Sequence, residues 1–146
     1  MKRSPVLGVL TRLAGETRDA AAEELGNAVG AVQTAEQKLG LLEQYRDEYA
    51  ARLEAGLSGG LTATEFRNFR AFIDKIDEAI EGQREMLQKA AGAADVARDN
   101  WRDAAQRQKS FTTLAARDAK QAREVEARQQ QKQTDEHAGR SGLRRG

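Results

Sequence analysis

The apolar and small residues of the first third of the chain recur at alternating steps of four and three. Ala21, Leu25, Ala28, Val32, Ala35, Leu39 and Leu42 lead on to Tyr49 and Leu53, with Arg46 the one charged residue in the series. This is heptad spacing. It predicts a helix that lays one narrow stripe against a partner. Upstream, Leu7, Leu10, Ala14, Thr17 and Ala21 keep the spacing but step by three first, so the junction with Leu25 reads as a stutter, a local change in supercoil. Gly15, Gly26, Gly30 and Gly40 each weaken this helix as an isolated peptide by about 1 kcal/mol relative to Ala, which is a reason for it to need a partner. Pro5 fits a first helical turn, where its missing N–H costs nothing.

The pattern breaks at Gly56-Leu57-Ser58-Gly59-Gly60-Leu61. Glycine is expected just past a helix end, and Gly-Gly permits a sharp reversal. Thr62, with Glu65 three residues later, makes a capping box that starts a second helix. Its seam begins Phe66, Phe69, Ile73, Ile76, Ile80, Gln83, Leu87 and continues through Ala90, Ala94, Ala97, Trp101, Ala104 and Gln108. It then runs on to Phe111, Ala115, Asp118, Ala122 and Val125 without a fault in the three-four alternation. Disorder does not produce such a register. After it, the run Gln129 to Gln133 passes into Gly139, Ser141, Gly142 and Gly146, which reads as a mobile tail. The expected division is therefore a tail over 1–5, helix over 6–56, turn over 57–62, helix over 63–133 and a flexible tail over 134–146.

Two heptad helices joined by a short glycine loop predict an all-α, antiparallel two-helix coiled-coil hairpin, its second helix longer than its first. At ~1.5 Å per residue the helices span ~75 Å and ~105 Å. Folding about the loop pairs residues whose numbers sum to ~119, so Leu7 falls near Thr112 and the chain past about residue 114 projects alone. A solitary helix of that kind is marginal in water. It frays, associates weakly with itself or enters a partner's cavity.

The two flanks of the predicted seam differ. With Phe66 and Ile73 at a and Phe69 and Ile76 at d, the g positions are Phe72, Ala79 and Met86; with Leu42 and Tyr49 at d, the first helix places Lys38, Tyr45 and Arg52 at g. In an antiparallel pair these g positions share one flank, so Tyr45, Phe72, Ala79 and Met86 form an aromatic and apolar edge near the loop. The e flank carries Glu43, Ala50, Arg70, Asp77 and Arg84, as a solvated coiled coil does. Aromatic residues are enriched at recognition sites. Two readings stand: a partner surface, or Tyr45 and Phe72 folding over the seam to widen the core.

Composition narrows the chemistry. The chain has 146 residues, 24 basic against 23 acidic, one proline, one histidine and no cysteine. Disulfides, thiol catalysis and thiolate zinc are excluded. His137 lies in a polar tail, and no phosphate-binding glycine loop, HExxH or EF-hand pattern occurs, so no cofactor or metal is expected. Carboxylates on a thin coil sit in water, and a two-helix rod offers no water-excluding pocket, so an enzyme is not expected. The end from Arg117 on carries eight basic and five acidic residues and no aromatic, which gives no nucleic-acid face. The apolar run Val6-Leu7-Gly8-Val9-Leu10 is too short for an export signal or a membrane span, and Ala115, Ala122 and Val125 are too small for lipid insertion. The expected location is the cytosol.

The stretch Leu41-Leu42-Glu43-Gln44-Tyr45-Arg46-Asp47-Glu48-Tyr49 resembles the Leu-x-x-Tyr-Arg-x-x-Tyr stretch of the flagellar export protein FliJ family, and Phe66 to Phe72 followed by Ile76, Ile80 and Gln83 is similar to that family's segment after the loop. The resemblance covers nearly the whole chain. It implies a non-enzymatic stalk of the flagellar type III export apparatus, similar to the central stalk of rotary ATPases. The implied partners are the hexameric export ATPase FliI, the cytoplasmic domain of the export gate FlhA and the export chaperones, with peripheral association at the inner membrane through the apparatus. Carried onto this chain, the gate surface comprises Leu42, Tyr45, Tyr49, Phe72, Ile76, Ala79 and Gln83. The ATPase-ring end comprises Leu7, Leu10, Phe111, Leu114, Arg117, Lys120 and Val125. One departure is Lys38, where the family often has Gln. The alternative is a chaperone-like or structural coiled coil of a related injectisome secretion system.

Overall fold

The computed structural model describes residues 3–145 and contains two helices, α1 (Arg3–Ser58) and α2 (Ala63–Arg145). No strand occurs among the described residues, and the second helix is the longer, 83 residues against 56. Residues 1, 2 and 146 of the expected tails lie outside the described residues.

The helices are longer than their sequence signals suggest. α1 starts within the expected tail at Arg3 and runs two residues past Gly56 to Ser58. α2 continues to Arg145, through the segment expected to be a flexible tail. That segment has no proline, so no residue in it lacks the N–H that continues the helix, although Gly139 and Gly142 weaken it.

The chain forms two compact units, each described by itself: one of residues 21–101, the other of residues 1–20 and 102–146. The first, the loop unit, contains the reversal. Gly60 takes a positive φ of 90°, a conformation costly for any residue with a Cβ. The Leu61 N–H then reaches back to the Gly56 carbonyl at 3.0 Å, and the Gly59 N–H to the Ala55 carbonyl at 3.2 Å. This is a Schellman-type closure with the left-handed residue at Gly60, not at Gly56. Gly56 has a different task. A Cβ there would stand 2.1 Å from the Leu61 Cδ1, so the leucine side chain lies in the space the glycine leaves. On the far side of the turn the Thr62 hydroxyl accepts the Glu65 N–H at 3.2 Å, starting α2.

Cross-helix contacts in the loop unit fix direction and register. Tyr49 meets Phe69 and Phe72, Arg46 meets Asp77, and the Gln83 Nε2 donates to the Ala35 carbonyl at 3.2 Å. As α1 numbers fall, α2 numbers rise: the pair is antiparallel, within a few residues of the expected register. The core lies on the expected seam, with Ala35, Leu53, Ile73, Ile76, Ile80, Ala94 and Ala97 buried. Each isoleucine contributes about 1.5–3 kcal/mol by leaving water. No large side chain is fully buried among the described residues, the expected limit of a core one seam wide.

Among the described residues of the second unit, the end unit, Ala14 alone is buried. The expected stutter is absent. Half-buried or buried positions fall at Leu7, Thr11, Ala14 and Arg18, the same four-three phase that α1 keeps at Ala21 and Leu25. Leu10 and Thr17, expected on the seam, are exposed. A single heptad phase is retained because Thr11 and Arg18 tolerate it: the Thr11 hydroxyl donates to the Leu7 carbonyl at 2.8 Å, and the half-buried Arg18 keeps its guanidinium 3.7 Å from the exposed Asp19. On α2 the seam is half-buried through Phe111, Ala115 and Asp118; residues 119–140 are exposed, Ala122 and Val125 included.

Two substitutions test these assignments. Gly60→Ala is expected to cost about 1 kcal/mol in urea denaturation, from the left-handed φ alone. Gln83→Leu is expected to be neutral within about 0.5 kcal/mol, because the Ala35 carbonyl keeps its helical partner, whereas Gln83→Ala loses both the bond and the packing and costs about 1 kcal/mol or more.

Candidate functional site

Two surfaces hold the residues singled out from sequence, one in each unit. In the loop unit, the heptad phase of α1 puts Tyr49 on the seam and Tyr45 one turn away on its flank, and the phase of α2 puts Phe72 on the matching flank. The Tyr49 ring packs on Phe72 at 4.5 Å between centroids and on Phe69 at 6.3 Å, both tilted, and the Arg52 guanidinium lies 5.2 Å from the Tyr49 centroid. Both geometries are attractive for aromatic faces and edges. Phe72 therefore folds onto a seam residue while staying 44% exposed; Tyr45 does not fold over and is 55% exposed. The core-widening reading holds for Phe72 and not for Tyr45. Ala79 and Met86 are exposed beyond them.

The other members of the expected gate surface are less available. Leu42 is half-buried, Ile76 is core, and Gln83 has committed its amide to Ala35. These three hold the helices in register. Tyr45, Phe72 and Ala79 are the members that a partner can touch, with Tyr49 reachable at its edge. Sequence reasoning passed over Leu41, which with Gln44, Tyr45 and Glu48 lines a shallow cleft on α1. Its signal was the i, i+4 spacing from Leu41 to Tyr45.

The opposite flank of the same unit is ionic. Arg46, the charged residue on the seam, forks onto the Asp77 carboxylate, one bond through Nε and a second from Nη2 to Oδ2 at 3.4 Å. That hydrogen bond, and then the Asp77 charge, hold the guanidinium above its ordinary range. A raised basic group contributes at every pH below its ordinary value and loses that contribution only in strong alkali, so this pair is no physiological switch. Arg84 reaches Glu43 at 3.9 Å and Glu81 at 3.8 Å. Exposed pairs like these set register more than stability.

In the end unit, an open groove is lined by Val6, Leu7, Leu10, Phe111, Leu114, Arg117, Asp118 and Gln121. The structure thus brings together Leu7, Leu10, Phe111, Leu114 and Arg117 of the expected ring-facing set. Lys120 and Val125 lie outside the groove, on exposed α2. Val6, Asp118 and Gln121 line the groove beside that set, Asp118 being a residue of the predicted seam. Among the described residues, no cluster of three His, Cys, Asp or Glu side chains is placed to hold a metal ion, and no helix is long and apolar enough to cross a membrane.

The comparisons with known proteins agree over nearly the full length. The family model described as Flagellar FliJ protein matches residues 3–146. The chain is 32% identical over 145 residues to the Flagellar FliJ protein of Escherichia coli (strain K12), with 99% of each chain covered. It is 32% identical to the Flagellar FliJ protein of Salmonella typhi over the same length and coverage. With its two-helix architecture and these relatives, the chain belongs to the flagellar FliJ family, a family of flagellum biogenesis and protein export.

Proposed function

We infer that this protein acts as a non-catalytic coupling element of flagellar type III export, bound to two partners through its two units. The end unit docks in the hexameric export ATPase through the groove around Leu7, Leu10, Phe111, Leu114 and Arg117. The exposed α2 beyond it, including Lys120 and Val125, extends the contact. The loop unit meets the cytoplasmic domain of the export gate through Tyr45, Phe72 and Ala79, while Leu42, Tyr49, Ile76 and Gln83 hold that flank in shape. Export chaperones are transient further partners. The protein works in the cytoplasm, at the inner membrane only through the apparatus.

The observation that carries this reading is that Tyr45 and Phe72, assigned by heptad position to one flank, are both exposed while Phe72 packs on Tyr49. An exposed aromatic ring packed on a neighbour suits a recognition site, since it loses little side-chain entropy on binding. Similarity to the flagellar relatives along nearly the whole chain supports the choice of partners. The groove of the end unit supports a second, separate contact, because its apolar floor is open and bordered by Arg117.

The test is the steady-state rate of the cognate export ATPase, with binding to the isolated gate domain measured in parallel. Arg117→Glu/Lys120→Glu is expected to abolish stimulation of the ATPase and leave gate binding intact. Tyr45→Ala/Phe72→Ala is expected to weaken gate binding by about tenfold or more, the ordinary loss of an interface hot spot, with stimulation retained. No stimulation by the intact helical protein would overturn the stalk reading.

A further inference from the structure

The apolar seam of the loop unit does not fix the height of one helix against the other by itself. A slip of one to six residues turns seam residues off the stripe, but a slip of seven returns each of them to a seam position. Leu39, Leu42, Leu53, Ile73, Ile76 and Ile80 all keep a seam place under such a slip. The turn leaves a choice as well. The reversal is made at Gly60, and Gly56, four residues earlier, is a second residue suited to a helix end. Reversing there would shift the pairing of the helices by about eight residues, within one of a heptad. The ring contacts of Tyr49 and the Thr62 cap favour the observed register. The charges on the ionic flank separate the two registers more sharply. Arg46 forks onto Asp77, and Arg84 reaches Glu43 at 3.9 Å. One heptad to either side of Asp77, the same flank of α2 carries Arg70 and Arg84. With the reversal near Gly56, Arg46 would meet Arg70 and Glu43 would meet Asp77, so both attractions become repulsions. A heptad slip the other way sets Arg46 against Arg84 and moves the reversal past Gly60, to residues without glycine.

We propose that Arg70 and Arg84 guard the register of the hairpin: their charge excludes the pairings slipped by one heptad, above all the one that reverses near Gly56. Among the heptad-equivalent positions 70, 77, 84, 91 and 98, Asp77 is the one acid, and so the one place where Arg46 settles. Each ion pair is partly exposed and adds little stability alone. What the set supplies is a difference between one register and the next, and that difference comes as much from the repulsions avoided as from the attractions made. One consequence rests on the proposed gate contact. The slip toward Gly56 puts seven further residues, about 10 Å of helix, between the heights of Tyr45 and Phe72, and their common flank is lost.

The chain has no cysteine, so spin labels on Thr34→Cys and Asn68→Cys, both at exposed positions, report the height of α2 against α1 without background. Double electron–electron resonance on the full-length chain, at about 50 mM NaCl where screening is weak, reads the separation. In the observed register the two sites stand ~25 Å apart along the axis, and one heptad of slip toward Gly56 leaves ~15 Å. The labelled parent is expected to give one distance. Arg70→Asp/Asp77→Arg moves the acid one heptad toward the turn with the composition unchanged. The slipped hairpin then sets Arg46 against the acid at 70 and Glu43 against the base at 77, and a second, shorter distance is expected. Arg46→Asp/Asp77→Arg inverts the pair and keeps its attraction in the observed register. It also finds a base at 70 and at 84, so it too is expected to show more than one distance, whereas a role confined to the pair itself leaves one. Circular dichroism checks that each variant is helical, and the inverted pair decides the matter if the transposed one does not fold. A single, unshifted distance in either helical variant would overturn the proposal. The readout is the register of the chain alone, so that outcome would leave the reading of the gate and ATPase contacts standing.

Discussion

Everything in this fold depends on keeping one heptad phase along α1. Burial in a two-helix coil comes from a stripe about one side chain wide, so a change of phase would turn its apolar residues away from their partners. The chain holds the phase even where the local sequence argues against it. Thr11 and Arg18 occupy seam positions while Leu10 is left outside. The hydroxyl is satisfied by the helix backbone and the arginine head stays wet, so neither polar group is buried without a partner. The displaced leucine and its neighbours then become surface.

The turn transmits that phase from one helix to the other. Gly60 supplies the left-handed residue, Leu61 folds back over Gly56, and Thr62 opens α2 three residues before Glu65. Cross-helix ring contacts at Tyr49, Phe69 and Phe72 follow within about three helical turns of this closure. Arg46 then checks the register: its fork onto Asp77 forms only when the two helices stand at the right height.

The helices, the turn, the capping Thr62 and nearly all of the core are legible in the sequence because they rest on local periodicity and on residues with narrow conformational roles. Ile73, Ile76, Ile80, Ala94 and Ala97 are where a three-four alternation puts them. The points of difference have a common cause. Leu10 and Thr17 read as seam from apolarity and small size, yet a seam is chosen by the phase of the whole helix. Likewise 134–145 reads as a tail because of its polarity and glycines, yet it contains no proline and α2 continues through it. At the aromatic flank, the spacing assigns Tyr45 and Phe72 to one edge, but not their different fates. Whether an aromatic ring folds inward depends on the partner side chain at its height, and that partner, Tyr49, lies on the other helix from Phe72.

A core in which no large side chain is wholly enclosed has a thermodynamic signature of its own. The heat-capacity change of unfolding scales with the apolar surface newly wetted, and here much of that surface is already wet in the folded state. The stability of this molecule is therefore a broad dome in temperature. Its curvature with temperature is slight, so cooling weakens it little.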